Sequence, residues 1–282
     1  MNETRIGTDR ALLPAAVLDA ADEVAALANN YESGRFAMGL SGSWSKGTSD
    51  SLSDVDFRCY SDVPRPTPDA AWEADWNRLF QRWEARGLVL DGLGWTTVSD
   101  VDAMLDTWLA GRGVPEPIVW TIWGYHPLTD YSRQLAVIDP DGLIVEWRER
   151  TLSYPDELRR SIVRRYLPAL QYWRGDYHYA NKVRRADEVF LAGLTSLLVH
   201  NLLQVLAAYN RVHYPGDGNN LRFVNALKYT PADLVARLTA VLSPGESADR
   251  LSVQHAELVS LIDDVIVLLS AESELLEVNE VH

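Results

Sequence analysis

The sequence predicts a mixed α/β (α+β) fold, in which an N-terminal domain with a mixed sheet is followed by an all-helical C-terminal bundle domain. Strand patterns and glycine-containing turns mark the first half of the chain, whereas helical periodicity dominates after about Tyr154. The 282 residues are enough for two modest domains that each bury a core. We therefore expect one domain at residues 1–150 and a second at residues 151–282.

Apolar spacing in the first half predicts two amphipathic helices and several strands. The helices are expected at residues 12–30 and 69–86, and Gly87 ends the second one. The segment "RFAMGLSGS" indicates a buried strand that runs into a Gly/Ser turn, and the alternation in "SDVDFRCY" indicates a second strand. We expect further strands in "LVLDGLGWTTV" and, as a hairpin around Asp-Pro-Asp-Gly, in "LAVIDPDGLIVEW".

Helical patterns occupy the second half of the chain, and in one of them Thr230 is the expected N-cap and Pro231 the first helical residue. A stripe that begins at Leu158 predicts a helix that Pro168 should kink. Residues 179–211 are expected to form one long helix. The segment "AELVSLIDDVIVLLSAESELLEV" predicts a last helix with an acidic tail.

Charge and composition narrow the classes of partner. A formal net charge of −14 argues against a protein that holds nucleic acid or an anionic membrane by charge alone, and it favours a small molecule or a protein partner. The single Cys59 cannot form an intramolecular disulfide, and no signal-like leader or run of eighteen apolar residues occurs. We expect a cytoplasmic protein without a membrane span, whose aromatic-rich helices leave room for a homodimer.

Two aspartates one residue apart are the strongest chemical signal in the sequence. On a strand, Asp54 and Asp56 point to the same side, while Val55 and Phe57 face the core. Two adjacent carboxylates repel each other unless a hard divalent cation lies between them, and Mg²⁺ with substrate phosphates fits that arrangement. A bare Asp-x-Asp pattern is also typical of a solvated strand face.

A Gly-Ser pair precedes these aspartates by a spacer of ten residues. Gly42 and Ser43 leave a strand at the start of a short helical turn, where backbone N–H groups and a hydroxyl can meet a phosphate. Lys46 in the spacer could also contact a phosphate, or it could be a flexible surface lysine. A nucleoside triphosphate would bridge the turn and the metal.

This segment resembles the signature of the nucleotidyltransferase superfamily, typified by DNA polymerase beta and the aminoglycoside nucleotidyltransferases. The resemblance rests on Gly42-Ser43, the ten-residue spacer and Asp54-Val55-Asp56-Phe57. The resemblance implies Mg²⁺, ATP or another nucleoside triphosphate as donor, and transfer of a nucleoside monophosphate with release of pyrophosphate. The stretches "YANKVRRAD" and "LLQVLAAYNRVHYPGDGNNL" resemble the helical domain of bacterial relatives, which implies that Lys182 and Arg185 face the triphosphate. Pairing of this basic cluster with Asp187 and Glu188 is the alternative.

Active family members carry a third carboxylate on the neighbouring strand, which completes the metal site or acts as general base. Here "LVLDGLGWTTVSDVD" offers Asp91, while Gly94 and Trp95 stand where another acid could have been. Asp100 and Asp102 look like the start of a helix, where Asp is favoured. Asp91 is therefore the candidate for the third catalytic carboxylate, beside Asp54 and Asp56 as metal ligands.

The resemblance implies an acceptor hydroxyl on a small molecule, with aminoglycoside- or lincosamide-like antibiotics as the nearest class and antibiotic resistance as the role. An acidic surface would suit a cationic acceptor. Two alternatives stay open. One is a nucleotide-binding regulatory module that has lost catalysis, and the other is a toxin-like enzyme that modifies a protein or tRNA.

Overall fold

The computed structural model of the chain describes residues 9–28, 34–65, 67, 70–116, 118, 121–175, 177–216 and 220–272. A short 3-10 turn at Arg10–Leu12 precedes the first helix. The strands are β1 (Phe36–Leu40), β2 (Phe57–Ser61), β3 (Gly94–Thr97) and β4 (Leu135–Ile138). The helices are α1 (Ala15–Ala28), α2 (Gly42–Lys46), α3 (Ala70–Glu84), α4 (Val98–Leu109), α5 (Pro127–Arg133), α6 (Leu143–Leu152), α7 (Asp156–Gly175), α8 (Tyr177–Arg184), α9 (Glu188–Tyr209), α10 (Asn220–Asn225), α11 (Leu234–Leu242) and α12 (Arg250–Ser270).

The four strands form one mixed sheet in the order β3-β2-β1-β4. Strand β1 is antiparallel to both β2 and β4, and β2 is parallel to β3. All five residues of β1 are buried, because this strand has a neighbour on each edge and helices contribute to the same core. The predicted fold class, a mixed α/β region followed by a helical region, is confirmed.

The core of the sheet region follows the predicted apolar faces. Val55, Phe57 and Cys59 are completely buried, as the alternation of the second strand predicted. The buried face of α1 and the tryptophans Trp72 and Trp83 of α3 belong to the same cluster. The predicted stop of the first helix at Asn29-Asn30 and the predicted start of the second at Asp69 lie outside the described residues.

The predicted hairpin in "LAVIDPDGLIVEW" is wrong, because its second half is helix α6. The Asp139 carboxylate accepts hydrogen bonds from the backbone N–H groups of Ile144 and Val145, at 3.1 and 3.2 Å. Gly142 adopts a left-handed conformation with φ of 75° immediately before the helix. These bonds satisfy N–H groups of the first turn, so the Asp-Pro-Asp-Gly segment starts a helix instead of closing a hairpin.

The chain forms two compact units, and each unit is built from two separate stretches of the sequence. The first unit contains Met1–Trp108 and Pro127–Ser153, and the second contains Leu109–His126 and Tyr154–His282. The last of these junctions lies close to the expected boundary at residue 150. The sequence did not predict that residues 109–126 group with the helical unit.

Contacts within the second unit explain why residues 109–126 belong to it. The Ser161 hydroxyl of α7 donates to the Gly111 carbonyl. Trp123 stacks on His200 of α9, with ring centroids 4.5 Å apart. Burial lowers the pKa of His200 to about 3, so this histidine is a neutral core residue at physiological pH.

Helix α9 lies at the centre of the second unit and packs against α7, α11 and α12. It is long and apolar enough to cross a membrane by length and composition, but 67% of its apolar window is buried inside the structure. A core helix of a soluble protein has the same properties. Helix α7 continues through Pro168, and the predicted kink there stays a prediction. The predicted start of a helix at Pro231 is wrong, because α11 begins at Leu234 after Asp233.

The predicted single helix at residues 179–211 is wrong, since the chain breaks between α8 and α9. Ala186 has a positive φ of 51°, which an alanine inside a helix does not adopt. Asp187 then caps α9 through a hydrogen bond from the Phe190 N–H. The apolar periodicity continues across this break, which is why the pattern alone predicted one helix.

Arg159 of α7 caps the carboxyl end of α9. This arginine is 5% exposed, and its guanidinium donates to the carbonyls of Ala208 and Tyr209, each at 3.2 Å. It also forms an ion pair with Glu272. The last carbonyls of a helix have no partner within the helix, so a cation at this position satisfies them and opposes the negative end of the helix dipole.

Replacing Arg159 by leucine should lower the free energy of unfolding by about 1–3 kcal/mol, because the Tyr209 carbonyl and the Glu272 carboxylate lose this donor, while the Ala208 carbonyl keeps the Arg211 N–H. Urea denaturation followed by circular dichroism measures this loss. Arg160→Leu is the matched control, since Arg160 pairs with the exposed Glu157 one turn earlier and should change stability by less than about 0.5 kcal/mol. Equal losses in the two variants would contradict this role of Arg159.

Candidate functional site

The end of β1 and the start of α2 form a turn that lies directly against Asp56. The Ser41 N–H donates to the Asp56 carbonyl at 2.9 Å. Gly42 follows with φ of 63°, and a Cβ built on it would lie 1.8 Å from Oδ2 of Asp56. The Asp56 carboxylate therefore occupies the space of a side chain at position 42, so only glycine fits there.

Asp54 and Asp56 lie in an extended segment just before β2, on either side of a buried residue. Val55 between them forms a parallel bridge with Leu90. Its N–H donates to the Val89 carbonyl at 2.9 Å, and its carbonyl accepts from the Asp91 N–H at 3.0 Å. This pair of bonds fixes Asp91 beside the two aspartates, although Asp91 precedes β3.

The three aspartates form a compact cluster, which we call the acidic triad. One carboxylate oxygen from each of Asp54, Asp56 and Asp91 lies within 4.8 Å of the other two. Oxygens bound to one Mg²⁺ ion at about 2.1 Å are at most about 4.2 Å apart. Small side-chain rotations would therefore allow the triad to hold a hard divalent cation.

The Asp56 carboxyl is the least exposed group of the triad. Burial and the neighbouring Asp54 carboxylate raise its pKa to about 6, and the charges of Asp91 and Asp130 act in the same direction. The Arg58 guanidinium, 3.7 Å from Asp56, opposes this increase. Ionised Asp56 is thus destabilised in the folded protein, as expected where a cation is to bind.

Gly94 stands where the sequence left room for another acid, and Arg58 explains why a glycine is found there. A Cβ on Gly94 would lie 2.6 Å from Cδ and Nη1 of Arg58. Gly94 pairs directly with Arg58 in the parallel ladder between β2 and β3. The missing side chain at position 94 therefore makes space for an arginine beside the triad.

Lys46 is not a flexible surface lysine. Its ammonium group lies 3.4 Å from the Asp130 carboxylate of α5, and the two side chains are only 16% and 13% exposed. The Ser43 hydroxyl oxygen is also buried and has no hydrogen-bond partner among the described residues. A buried hydroxyl without a partner is unfavourable, and a bound polar group would relieve it.

Lys182 and Arg185 belong to the second unit. The Lys182 ammonium donates to the Asp187 carboxylate at 2.7 Å and lies 4.4 Å from the centre of the Phe190 ring. This is the pairing that the sequence left open as the alternative. Arg185 is exposed at the end of the same segment. The predicted contacts of both residues with a triphosphate stay predictions.

Asp100 and Asp102 lie on α4, as the sequence predicted. Asp102 accepts hydrogen bonds from the Trp147 indole at 2.9 Å and from Arg150 at 2.7 Å, so its carboxylate is used to hold α6. Asp130 and Gln134 near the turn were missed by the sequence analysis. Gln134 contacts Ser41 across 93 residues of sequence, and no local motif marks such a contact.

Comparisons with known proteins give distant matches. The family model described as a domain of unknown function (DUF4037) matches residues 126–218, a range that contains none of the acidic triad. A solved structure of a nucleotidyltransferase-like protein from Exiguobacterium sibiricum 255-15 is similar, with a TM-score of 0.46 and 9% identity. The alignment covers 93% of this chain and 78% of that chain. No curated protein matches the sequence significantly.

Gly42→Ala should return the pKa of Asp56 toward its ordinary value, because the added methyl group moves the carboxylate out of its buried position. Side-chain carboxyl titration by NMR measures this pKa. Gly47→Ala is the matched control: Gly47 has φ of 66° and would meet nothing within 4 Å. Both variants carry about 1–2 kcal/mol of backbone strain. An Asp56 pKa near 6 in both would refute the close contact.

Asp56→Asn should stabilise the protein in the absence of divalent ions, by about 1–3 kcal/mol at pH 7.5. The gain becomes small near pH 4 and disappears below about pH 3, where Asp56 is protonated in both the folded and the unfolded chain. Between about pH 3 and pH 6 the unfolded chain releases this proton before the folded chain does, so wild-type stability falls as the pH rises.

Urea titrations in EDTA at pH 4 and pH 7.5 measure the pH dependence of this gain. The control is Asp75→Asn, which removes an exposed carboxylate of α3. A gain from Asp56→Asn that is the same at both pH values would contradict the raised pKa of Asp56.

Proposed function

We propose that the chain is a metal-dependent nucleotidyltransferase, which moves a nucleoside monophosphate from a nucleoside triphosphate to a hydroxyl of a small molecule. The observation that carries this proposal is the acidic triad, with one oxygen of each carboxylate within 4.8 Å of the others, beside the turn at Gly42 and Ser43. Phosphoryl transfer requires mainly positioning and charge neutralisation, which such a site can provide.

Asp54 and Asp56 are the proposed metal ligands. Their carboxylate oxygens are the donors that Mg²⁺ prefers. Burial and repulsion by Asp54 raise the pKa of Asp56, and a bound cation would oppose both effects because it stabilises the ionised carboxylate. A bound Mg²⁺ ion would supply neutralisation of the negative charge on the phosphate oxygens. The triad of carboxylates fits such an ion better than it fits a softer metal.

Gly42 and Ser43 are proposed to hold the triphosphate. The glycine allows the backbone to lie directly against Asp56, and the Ser43 hydroxyl is buried without a partner among the described residues. A phosphate oxygen that accepts from this hydroxyl would satisfy it. Lys46 follows three residues later and is proposed as a phosphate contact, held in place by Asp130. ATP is the favoured donor, by resemblance alone.

Asp91 is proposed as the general base. It would remove the proton from the acceptor hydroxyl while the hydroxyl oxygen attacks the α-phosphorus. The bond between the α-phosphorus and the bridging oxygen then breaks, and pyrophosphate leaves with the bonding electrons. Lys182 and Arg185 are proposed to neutralise charge on the triphosphate, and Lys182 would exchange its present contact with Asp187 for it.

The acceptor is proposed to be a cationic small molecule with a free hydroxyl group. The chain has a net charge of −14, which attracts cations over long range at low salt. Aminoglycoside-like antibiotics have this chemistry and are the first class to test, with resistance as the implied biological role. A lincosamide-like acceptor is the second class.

Purified protein with Mg²⁺ should release pyrophosphate from one of ATP, CTP, GTP or UTP, and more rapidly when an accepted hydroxyl compound is present. Asp54→Asn and Asp56→Asn should each lower this rate by at least about 100-fold, because charge neutralisation and positioning fail together. Asp91→Asn should lower the rate without preventing nucleotide binding. A coupled pyrophosphate assay with an acceptor panel measures these effects.

The matched control for these variants is again Asp75→Asn, which removes one negative charge from the same unit. Transfer by this variant should equal wild-type transfer. Nucleotide binding that is insensitive to Asp54→Asn and Asp56→Asn, without turnover, would overturn the proposal and favour a regulatory nucleotide-binding module. Transfer to a protein or a tRNA instead of the small-molecule panel would assign the other class of acceptor.

A further inference from the structure

Gln134 is a buried polar residue that lies behind the candidate site. It is the one residue between α5 and β4, and it is 1% exposed. Its amide nitrogen donates to the Ser41 hydroxyl at 2.9 Å and to the Tyr60 hydroxyl at 2.6 Å. Ser41 and Tyr60 are themselves 1% and 2% exposed, so this small network is closed to solvent.

The network connects Gln134 to the main chain of Asp56 through a single residue. The Ser41 hydroxyl bonds Gln134, while the Ser41 N–H donates to the Asp56 carbonyl at 2.9 Å. Gly42, the next residue, lies against the Asp56 carboxylate. The side chain of Gln134 therefore fixes Ser41. Ser41 bonds the Asp56 main chain and is followed directly by Gly42, which contacts the Asp56 carboxylate.

The sheet is adapted to the presence of this side chain. A Cβ built on Gly39 would lie 2.6 Å from Cδ and 2.7 Å from Cγ of Gln134. Glycine weakens the interior of a strand, and here it stands in the central and fully buried strand β1. Its presence is explained by the glutamine that passes over it.

The amide is also incompletely satisfied. The side-chain oxygen of Gln134 is buried and has no hydrogen-bond partner among the described residues. An apolar residue of similar size would avoid this unfavourable burial. The hydrogen bonds from its amide nitrogen to Ser41 and Tyr60 offset part of this cost.

The segment that ends in Gln134 holds the turn at a second point. Asp130 of α5 pairs with Lys46 at the end of α2, and Gln134 holds Ser41 just before the start of α2. Helix α2 is therefore held from both ends by residues of one short segment. Both ties would have to break before the turn could move away from Asp56.

We propose that Gln134 is a positioning residue for the metal ligand Asp56, acting through Ser41. This inference rests on the proposed function, because it assumes that the acidic triad binds a divalent cation. Gln134 itself touches neither the cation nor the nucleotide. Its role is to keep the turn at Gly42 in the one place that leaves the Asp56 carboxylate beside Asp54 and Asp91.

Two substitutions separate positioning from simple loss of a hydrogen bond. Ser41→Ala and Tyr60→Phe each delete one of the two hydroxyls that Gln134 bonds, and both hydroxyls are equally buried. Only Ser41 belongs to the turn. Tyr60 also bonds Tyr131, so Tyr60→Phe disturbs the network at least as much as Ser41→Ala does. Positioning requires that Ser41→Ala nevertheless weakens cation binding more than Tyr60→Phe.

The test uses the full chain and measures Mn²⁺ affinity by electron paramagnetic resonance, together with thermal stability. Gln134→Met and Ser41→Ala should weaken Mn²⁺ binding by about 10-fold, the lower end of the effect expected for residues that orient metal ligands. Tyr60→Phe should bind Mn²⁺ within about twofold of wild type. Gln134→Met should also raise the KM for the nucleoside triphosphate.

Equal weakening of Mn²⁺ binding in Ser41→Ala and Tyr60→Phe would overturn the proposal, as would wild-type affinity in Gln134→Met. If Gln134→Met does not fold, the comparison of the other two variants decides the question. Wild-type protein that binds no Mn²⁺ would overturn the proposed function as well. That result is distinguishable, because it precedes any substitution, whereas failure of positioning alone leaves wild-type binding and pyrophosphate release intact.

Discussion

The contact between the backbone of Gly42 and the carboxylate of Asp56 is the constraint on which the candidate site depends. The carboxylate occupies the position that a Cβ at residue 42 would need, at 1.8 Å from it. This contact ties the sequence of the turn to the sequence of the following strand, although the two are separated by a spacer. Three features maintain this contact: the positive φ of Gly42, the bond from the Ser41 N–H to Asp56, and the space at Gly39.

The charges around the acidic triad do not balance one another. The acidic triad and Asp130 carry four negative charges, and Lys46 and Arg58 carry two positive charges, so the cluster has a net charge of −2 when all groups are ionised. Burial raises the pKa of Asp56 in the folded protein, and the negative charges of Asp54, Asp91 and Asp130 raise it further. A single divalent cation would balance the charge of the cluster, whereas the mobile ions of the solvent screen it only in part.

The sequence predicted the parts of the fold that local patterns determine. The spacing of Gly42, Ser43, Asp54 and Asp56 indicated the turn and the acidic pair, and the alternation through Cys59 indicated the buried face of β2. The position of Asp91 depended on the parallel bridge between Val55 and Leu90, which no local pattern specifies. The contacts of Asp130 and Gln134 are long-range for the same reason.

The errors in secondary structure have local physical causes that outweigh periodicity. The short apolar run after Gly142 is compatible with a strand or a helix, and the hydrogen bonds from its N–H groups to Asp139 decide for α6. The apolar stripe across Ala186 continues through a break that the cap at Asp187 creates. A side chain that competes for backbone hydrogen bonds changes an element without changing its pattern of hydrophobic residues.

The stretches of the two units alternate along the chain, and this order affects folding during synthesis. Residues 109–126 pack with helices that follow Tyr154, yet they leave the ribosome before residues 127–153, which complete the first unit. When the strand β4 is synthesised, the preceding segment therefore still lacks its partners from the second unit. Trp123 in particular cannot stack on His200 until α9 has been made, so the two units cannot both be completed in the order in which the chain emerges.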